Sequence, residues 1–229
     1  MKILAISDEE VSALWEGYVP GRLDGYDLII SCGDLKPKYL EFIVTMARAP
    51  LLYVHGNHDV CYLREPPEGC DCIDDSLVVY HGLRILGLGG CKKYHPGEFQ
   101  YTEEQMRRRI ARLRLALRRT GGVDLVVTHA PPRGVGDQED PAHQGFEVFR
   151  DLLDQYHPQV LLHGHVHLRY NFSLPREQAY GGTRVINVSE RYVLELPDRQ
   201  FSAQDRSRLI WKSRHREPDD YHIERMPFR

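Results

Sequence analysis

Polar side chains that can bind metal ions or move protons follow five short apolar runs of this sequence. They are Asp8 and Glu10, then Asp34, then the group Asn57-His58-Asp59, then His129, and finally His165 with His167. The runs are rich in leucine and β-branched residues and apolar on both faces, which is typical of strands in the middle of a sheet. Loops of open α/β sheets gather their chemistry at the carboxyl ends of the strands. We therefore expect these side chains to converge on one edge.

Carboxylates, an amide oxygen and imidazoles together are a metal-binding set of donors. This mixture of hard oxygen and borderline nitrogen suits Mn²⁺, Fe or Zn²⁺. A single tetrahedral ion uses about four ligands, and this set is larger. The set favours two divalent ions that share a bridging carboxylate.

The elements that must position these side chains alternate along the chain. Strands are predicted over residues 2–7, 26–31, 51–55, 124–128 and 159–162, with helices over 39–47, 102–120 and 146–156. Thr102 can cap the second helix, and the glycine pair after residue 120 ends it. Further strands over 77–80, 84–88, 183–188 and 192–196 are joined by short turns. This order predicts an α/β fold with a mixed sheet system, and two sheets are compatible with it.

The order of the motifs resembles the calcineurin-like metallophosphoesterase superfamily, in its bacterial-type, single-domain form. That family carries D-x-H, G-D, G-N-H-D/E, a lone H and G-H-x-H, each at a strand end. Here the matching blocks are Asp8, Gly33-Asp34, Gly56-Asn57-His58-Asp59, His129 and Gly164-His165-Val166-His167. The resemblance spans about residues 1–192. It implies a four-layer α/β/β/α sandwich of two mixed β-sheets flanked by helices. We place this domain at residues 1–197 and a charged C-terminal extension at 198–229.

The resemblance also implies a role for each matched residue. Two divalent ions are expected, with Mn²⁺ preferred and Fe, Zn or Mg as alternatives. The first ion takes Asp8 and His167, the second takes Asn57, His129 and His165, and Asp34 bridges both.

His58 is expected to face the substrate rather than a metal ion. In the family's role it steadies the phosphoryl oxygens and protonates the leaving group, and Asp59 orients its imidazole. The implied activity is hydrolysis of a phosphomonoester or phosphodiester by attack of a metal-bridging hydroxide. Such an enzyme is a dinuclear metal-dependent phosphoric ester hydrolase, acting as a phosphatase or a phosphodiesterase.

Glu10 departs from the family pattern because it stands where D-x-H has histidine. Its carboxylate can reach a metal ion and would add a negative charge to the first site, favouring Mn²⁺ or Mg²⁺ over Zn²⁺. The other interpretation is that Glu10 points away and the first site is weakened.

Two other functions are compatible with the same motifs. A non-catalytic scaffold for protein–protein contact would keep the fold without turnover, and Glu10 is the feature that favours it. A nuclease-type phosphodiesterase would use the arginine-rich helix at 102–120 to follow a phosphate backbone. Most such helices are simply solvated.

Composition limits the partners and the compartment. The chain has 30 basic and 33 acidic side chains, a net charge of −3, which disfavours nucleic acid as a partner. The family resemblance implies a small phosphorylated substrate instead. The N-terminus lacks a signal-peptide pattern, and no apolar stretch approaches the ~20 residues of a membrane span. The five cysteines form no C-x-x-C pair, and Cys70 and Cys72 are interpreted as ordinary thiols. These features predict a cytoplasmic protein with no membrane partner. They carry no signal for an oligomeric state.

Overall fold

The computed structural model describes residues 1–170, 174–197 and 224–225. Two sheets hold most of the strands. The first sheet contains β1 (Lys2–Ser7), β2 (Leu28–Ser31), β3 (Leu51–Tyr53), β4 (Asp71–Cys72) and β13 (Glu190–Glu195). Its order is β13-β1-β2-β3-β4, with β13 antiparallel to β1 and the remaining neighbours parallel.

The second sheet is also mixed. Its strands are β5 (Ser76–Tyr80), β6 (Leu83–Leu88), β9 (Leu125–Thr128), β10 (Val160–His163), β11 (Glu177–Tyr180), β12 (Thr183–Asn187) and β14 (Glu224–Arg225). They lie in the order β11-β12-β10-β9-β6-β5-β14, and the central four, β12, β10, β9 and β6, are parallel. A separate parallel pair joins β7 (Cys91–Lys92) to β8 (Gln100–Tyr101).

In the described part of the chain three α-helices flank the sheets, and their ends follow from local sequence. They are α1 (Pro37–Ala47), α2 (Glu103–Thr120) and α3 (Glu147–Tyr156). Thr102 and Gln105 form a reciprocal capping box at the start of α2, and Gly121 ends this helix at φ 71°. Pro37 stands in the first turn of α1, where its missing N–H costs nothing.

Side chains alternate between the two faces of each strand, and the buried apolar side chains form three clusters. In β1, Ile3 and Ala5 face the cluster between the two sheets, whereas Leu4 and Ile6 face the cluster under α1. A third cluster packs α2 and α3 against the outer face of the second sheet. The resulting order is α1, first sheet, second sheet, then α2 with α3. This confirms the predicted four-layer sandwich of two mixed β-sheets.

The predicted long strands and all three helices are present with small shifts at their ends. Among the described residues, five strands of two to four residues were not predicted, namely β4, β7, β8, β11 and β14. Within the proposed extension at 198–229, the described pair Glu224–Arg225 forms β14 beside β5. The sequence also predicts that Leu209, Ile210 and Trp211 anchor this extension to the domain, and these three residues lie outside the described part of the chain. Among the described residues, no helix is long and apolar enough to cross a membrane.

Candidate metal centre

Sharp turns at the strand ends place the candidate ligands. Asp8, Asp34 and His165 all have positive φ, at 67°, 57° and 67°, a conformation that is uncommon for residues other than glycine. The loops approach so closely that a Cβ on Gly33 would lie 2.3 Å from the backbone nitrogen of Gly56. The left-handed turns and the glycines therefore bring the loops after β1, β2 and β3 into direct contact.

Asp34, His129 and His165 form the centre of the site. Each offers a donor atom, and the three atoms lie within 4.8 Å of one another. Asn57 joins them, because its Oδ1 lies 3.0 Å from His129 Nε2, and Asp34 Oδ2 lies 3.3 Å from the same nitrogen. Asp34 and Asn57 follow strands of the first sheet, while His129 and His165 follow β9 and β10 of the second. The site thus joins the two sheets.

His129 presents Nε2 to this cluster of oxygens. Its ring is fully buried, and Nδ1 donates to the carbonyl of Cys32 at 2.8 Å. Burial opposes protonation, but the neighbouring Asp34 carboxylate outweighs it and raises the pKa of His129 to about 9. Burial likewise opposes ionisation of Asp34, and His129 lowers the pKa of Asp34 to about 2. Two oxygens therefore gather around Nε2 and stabilise positive charge there, whether a proton or a metal ion carries it.

His165 is held in the neutral form. Its Nε2 donates to the carbonyl of Ala142 at 2.7 Å, which leaves Nδ1 with a lone pair for a metal ion. Burial and the nearby His129 lower the pKa of His165 to about 3. The protonation state of this ring suits a ligand.

Asp8 has a buried carboxylate oxygen that accepts no hydrogen bond. Its Oδ1 accepts from the backbone nitrogen of His165 at 2.9 Å, whereas Oδ2 is without a hydrogen-bond donor among the described residues. Burial raises the pKa of the Asp8 carboxyl above its usual value. Buried polar atoms are almost always satisfied. An unsatisfied carboxylate oxygen beside Asp34 and His129 fits a site for a cation, so the residues present fit the expected metal ions.

His167 lies at the edge of this group, and Glu9 holds its ring. The Nδ1 atom donates to Glu9 Oε1 at 3.3 Å, and Arg169 contacts the other oxygen of Glu9 at 3.3 Å. A carboxylate behind a ligating histidine fixes its tautomer and leaves Nε2 for the metal. Sequence reasoning missed Glu9. The signal in the sequence is the acidic pair Glu9-Glu10 after Asp8, of which only Glu10 stands at the family's histidine position.

The Glu10 carboxylate pairs with Lys36. Its Oε2 lies 3.0 Å from the exposed Nζ of Lys36, which directly precedes α1. The structure thus places Glu9, rather than Glu10, against a candidate ligand. Glu10 remains a predicted ligand of the first ion.

His58 and Asp59, which follow Asn57, lie in different surroundings. His58 is exposed, and its backbone nitrogen donates to Asp34 Oδ1 at 2.8 Å. Asp59 is buried, and its Oδ2 accepts from the backbone nitrogens of Asp34 at 2.9 Å and Gly56 at 2.7 Å. Burial and the nearby Asp34 raise the pKa of Asp59 to about 6. Asp59 therefore braces the turn that carries Asp34, and its expected role toward the His58 ring stays a prediction.

The long loop between β9 and α3 closes one side of the site. Ala142 supplies the carbonyl that holds His165, and the His143 ring lies 5.3 Å from the His165 ring. Arg133 and Asp137 pair at 2.8 Å and hold the base of this loop. No motif marks these residues, since a backbone carbonyl leaves no trace in a sequence pattern.

Comparisons with known proteins agree with this architecture. A family model described as the calcineurin-like phosphoesterase superfamily domain matches residues 1–190. The crystal structure of TT1561 of Thermus thermophilus is similar to this chain with a TM-score of 0.58 and 17% identity, covering 100% of this chain and 99% of the other. A single mutant of Vps29 from Entamoeba histolytica has a TM-score of 0.43 and 15% identity, over 86% and 87% of the two chains. No curated protein matches.

The similarity to TT1561 concerns the fold alone, because its sequence identity is low. The family model covers most of the chain and every candidate ligand named above. Together with the two-sheet sandwich, this match establishes that the chain belongs to the calcineurin-like phosphoesterase superfamily.

Proposed function

We propose that this protein is a metal-dependent phosphoesterase that hydrolyses a phosphomonoester or a phosphodiester. The observation that carries the proposal is the convergence of Asp34, Asn57, His129 and His165 from both sheets. Asp8 holds the backbone of His165 beside them, and its buried Oδ2 has no hydrogen-bond donor among the described residues. Membership of the superfamily supports the proposal. The substrate proposed is a small phosphorylated molecule, and Mn²⁺ is the proposed metal.

Seven residues would hold two divalent ions. Asp8, His167 and Glu10 belong to the first ion, Asn57, His129 and His165 to the second, and Asp34 to both. Bound ions would supply Lewis acidity, which neutralises phosphoryl oxygens and makes water more acidic. Glu10 would have to leave Lys36 to take part.

The protein's own groups prepare this chemistry. His165 offers a neutral ring nitrogen, and Glu9 keeps the ring of His167 in place. Asp59 fixes the backbone of Asp34 through two hydrogen bonds, so that the central carboxylate is held in position before any ligand binds.

His58 is proposed as the general acid. The residue is exposed, and its backbone nitrogen donates to Asp34 Oδ1, which places His58 beside the central carboxylate. An imidazole can hold a proton near neutral pH and release it to a departing oxygen. The same ring can steady the phosphoryl oxygens while it is protonated.

Assays with and without metal test the proposal. Protein stripped by a chelator is expected to be inert toward an aryl phosphomonoester and an aryl phosphodiester, and Mn²⁺ is expected to restore turnover on one of them. Asp34→Asn, which keeps the shape of the bridging side chain, should not recover. If Mn²⁺-loaded protein turns over no ester in a broad panel of both classes, the proposal fails.

A non-catalytic scaffold is the second candidate, and the Glu10–Lys36 pair favours it. With Glu10 engaged by a lysine, the first site has one protein ligand fewer. Metal analysis distinguishes the two functions. Less than one tightly bound ion per chain supports the scaffold, and two ions support the enzyme.

A further inference from the structure

A second group of metal-binding side chains lies at the same sheet edge, and the proposed phosphoesterase chemistry uses none of them. His55 follows β3, Cys72 ends β4, and Asp74 follows two residues later. The strands are parallel neighbours, with Tyr53 opposite Cys72 in the register. Their carboxyl ends therefore bring His55, Cys72 and Asp74 together.

The donor atoms of these residues are close enough to share one ion. His55 Nδ1 lies 2.6 Å from Asp74 Oδ2 and 3.8 Å from Cys72 Sγ. All three donor atoms lie within 4.8 Å of one another, and all three residues are half-buried. Zn²⁺ makes bonds of roughly 2.0–2.3 Å to such donors, which sets tetrahedral ligand atoms about 3.3–3.6 Å apart. The histidine–cysteine spacing already approaches this, and the histidine–aspartate pair must open by less than about 1 Å.

Neighbouring groups hold the trio in this arrangement. The Phe99 ring stacks on the face of His55 at 4.3 Å with an interplanar angle of 11°, which fixes the plane of the imidazole. Asp74 Oδ1 accepts from the backbone nitrogen of Gly89 and lies 3.7 Å from Arg109, so Oδ2 is directed at His55. The Tyr53 ring also contacts His55 edge-on, with the ring centroids 5.5 Å apart. A site with its ligands already oriented by outer contacts binds metal with little reorganisation.

We propose that His55, Cys72 and Asp74 bind a borderline divalent ion, with Zn²⁺ the best match to one nitrogen, one sulfur and one oxygen. The ion would replace the proton shared by His55 and Asp74, and the thiol proton of Cys72 would be released on binding. A fourth position stays open to water or to a further ligand. The site is distinct from the phosphoesterase centre, whose proposed ligands include no sulfur.

The ion would join β4 to the loop that carries Asn57 and His58. His55 lies two residues before Asn57, and its carbonyl accepts from the backbone nitrogen of Gly90 at 2.7 Å. We therefore expect this ion to stabilise the catalytic loop rather than to contact substrate.

Co²⁺ binding to the metal-free full-length protein tests the proposal without relying on turnover. Thiolate-bound Co²⁺ has a near-ultraviolet charge-transfer band, which oxygen and nitrogen ligands do not give. The wild-type protein and Cys70→Ser are expected to develop this band, and Cys72→Ser is expected to lose it. Cys70 is the matched control because its sulfur lies 3.7 Å from the Glu68 carbonyl instead of at the trio. A wild-type protein without the band, or a band that survives in Cys72→Ser, overturns the proposal.

Protection of thiols from alkylation is a second test of the proposed site. It uses the wild-type protein, so it does not depend on whether a variant folds. Zn²⁺ is expected to protect Cys72 from alkylation, as located by peptide mass spectrometry, while exposed Cys61 is alkylated with or without the ion. Equal alkylation of Cys72 in both conditions contradicts the site. Because neither readout involves ester hydrolysis, failure here leaves the proposed phosphoesterase function standing, and the reverse also holds.

Discussion

Each candidate ligand is prepared by the contacts of its other atoms. His129 and His165 each donate a hydrogen bond from one ring nitrogen to a backbone carbonyl, at 2.8 Å and 2.7 Å respectively. This contact directs the second ring nitrogen at the site. Asp8 accepts a hydrogen bond from the backbone nitrogen of His165 with Oδ1, while its Oδ2 has no donor within the described ranges of the chain. These contacts cost stability in the metal-free protein, since buried polar atoms and close charges are left without full compensation.

Replacement of His58 separates metal binding from catalysis. His58→Ala is expected to retain two bound ions and to turn over its substrate about 10²–10⁴-fold more slowly, as is typical when a general acid is removed. Metal content by elemental analysis and kcat on the best ester are the measurements. His81→Ala, which changes an exposed histidine in a turn, is the control and should match the wild type. Equal turnover in both variants would rule out the role of His58.

His163 is expected to make the metal-free protein sensitive to mild acid. It is buried, and this burial lowers its pKa from 6.5 to about 4. Between these values the unfolded chain binds a proton at this imidazole and the folded protein does not, so stability falls as the pH drops from about 6.5 to about 4. The loss approaches about 3 kcal/mol. Urea unfolding at several pH values should show a smaller loss for His163→Gln, and identical pH slopes would contradict this account.

Sequence patterns predicted several residues that the structure brings together, but not all of their partners. Asp34, Asn57, His129 and His165 stand in motifs whose order along the chain resembles that of the superfamily, and the structure brings them together. The acidic pair after Asp8 is different. Whether Glu9 or Glu10 faces the site depends on the left-handed turn at Asp8, and no sequence pattern fixes that backbone angle.

Elements with a clear period were the easiest to predict. The apolar stripe of α2 buries Met106, Ile110, Leu113 and Leu117 as expected, since it repeats at helical spacing. The missed strands are short. β4 has two residues and pairs only because β3 lies beside it, so its extended form is decided by tertiary contact. β11 alternates exposed and half-buried residues at the sheet edge.

The capping box at the start of α2 should be measurable. The Thr102 side chain accepts from the backbone nitrogen of Gln105 at 3.2 Å, and the Gln105 side chain accepts from the backbone nitrogen of Thr102 at 2.7 Å. Thr102→Ala is expected to reduce the free energy of unfolding by about 1 kcal/mol. Thr45→Ala is the control, because the Thr45 hydroxyl donates to the Glu41 carbonyl inside α1 and alanine favours a helix interior. Chemical denaturation should find the control at or above wild-type stability. Equal losses in the two variants would argue against the cap.

The candidate site joins two sheets that otherwise meet through an apolar core. The first sheet supplies Asp8, Asp34 and Asn57, and the second supplies His129 and His165. Parallel strands aim their carboxyl ends at one edge in each sheet, so the location of the site followed from the alternating pattern of elements. Local sequence patterns do not show how strands are divided between two sheets. The packing of two sheets was therefore implied only by the family resemblance.

A ligand bound between two sheets should stabilise the entire fold. Mn²⁺ at about 100-fold over its dissociation constant is expected to add about 2.7 kcal/mol per site to the free energy of unfolding. The melting temperature of the wild-type protein should therefore rise with Mn²⁺, and that of Asp34→Asn should rise much less. An equal rise in both proteins would mean that the stabilising ion binds elsewhere.

Anomalous diffraction from crystals of the Mn²⁺-loaded protein can locate the two proposed ions in the site. Data collected at the manganese absorption edge show the number and position of bound ions without reference to any substrate. We predict two anomalous peaks on either side of the Asp34 carboxylate, one near Asp8 and His167 and the other near Asn57, His129 and His165. A map with no peak at these residues, or with a single peak that Asp34 does not contact, would contradict a dinuclear phosphoesterase centre.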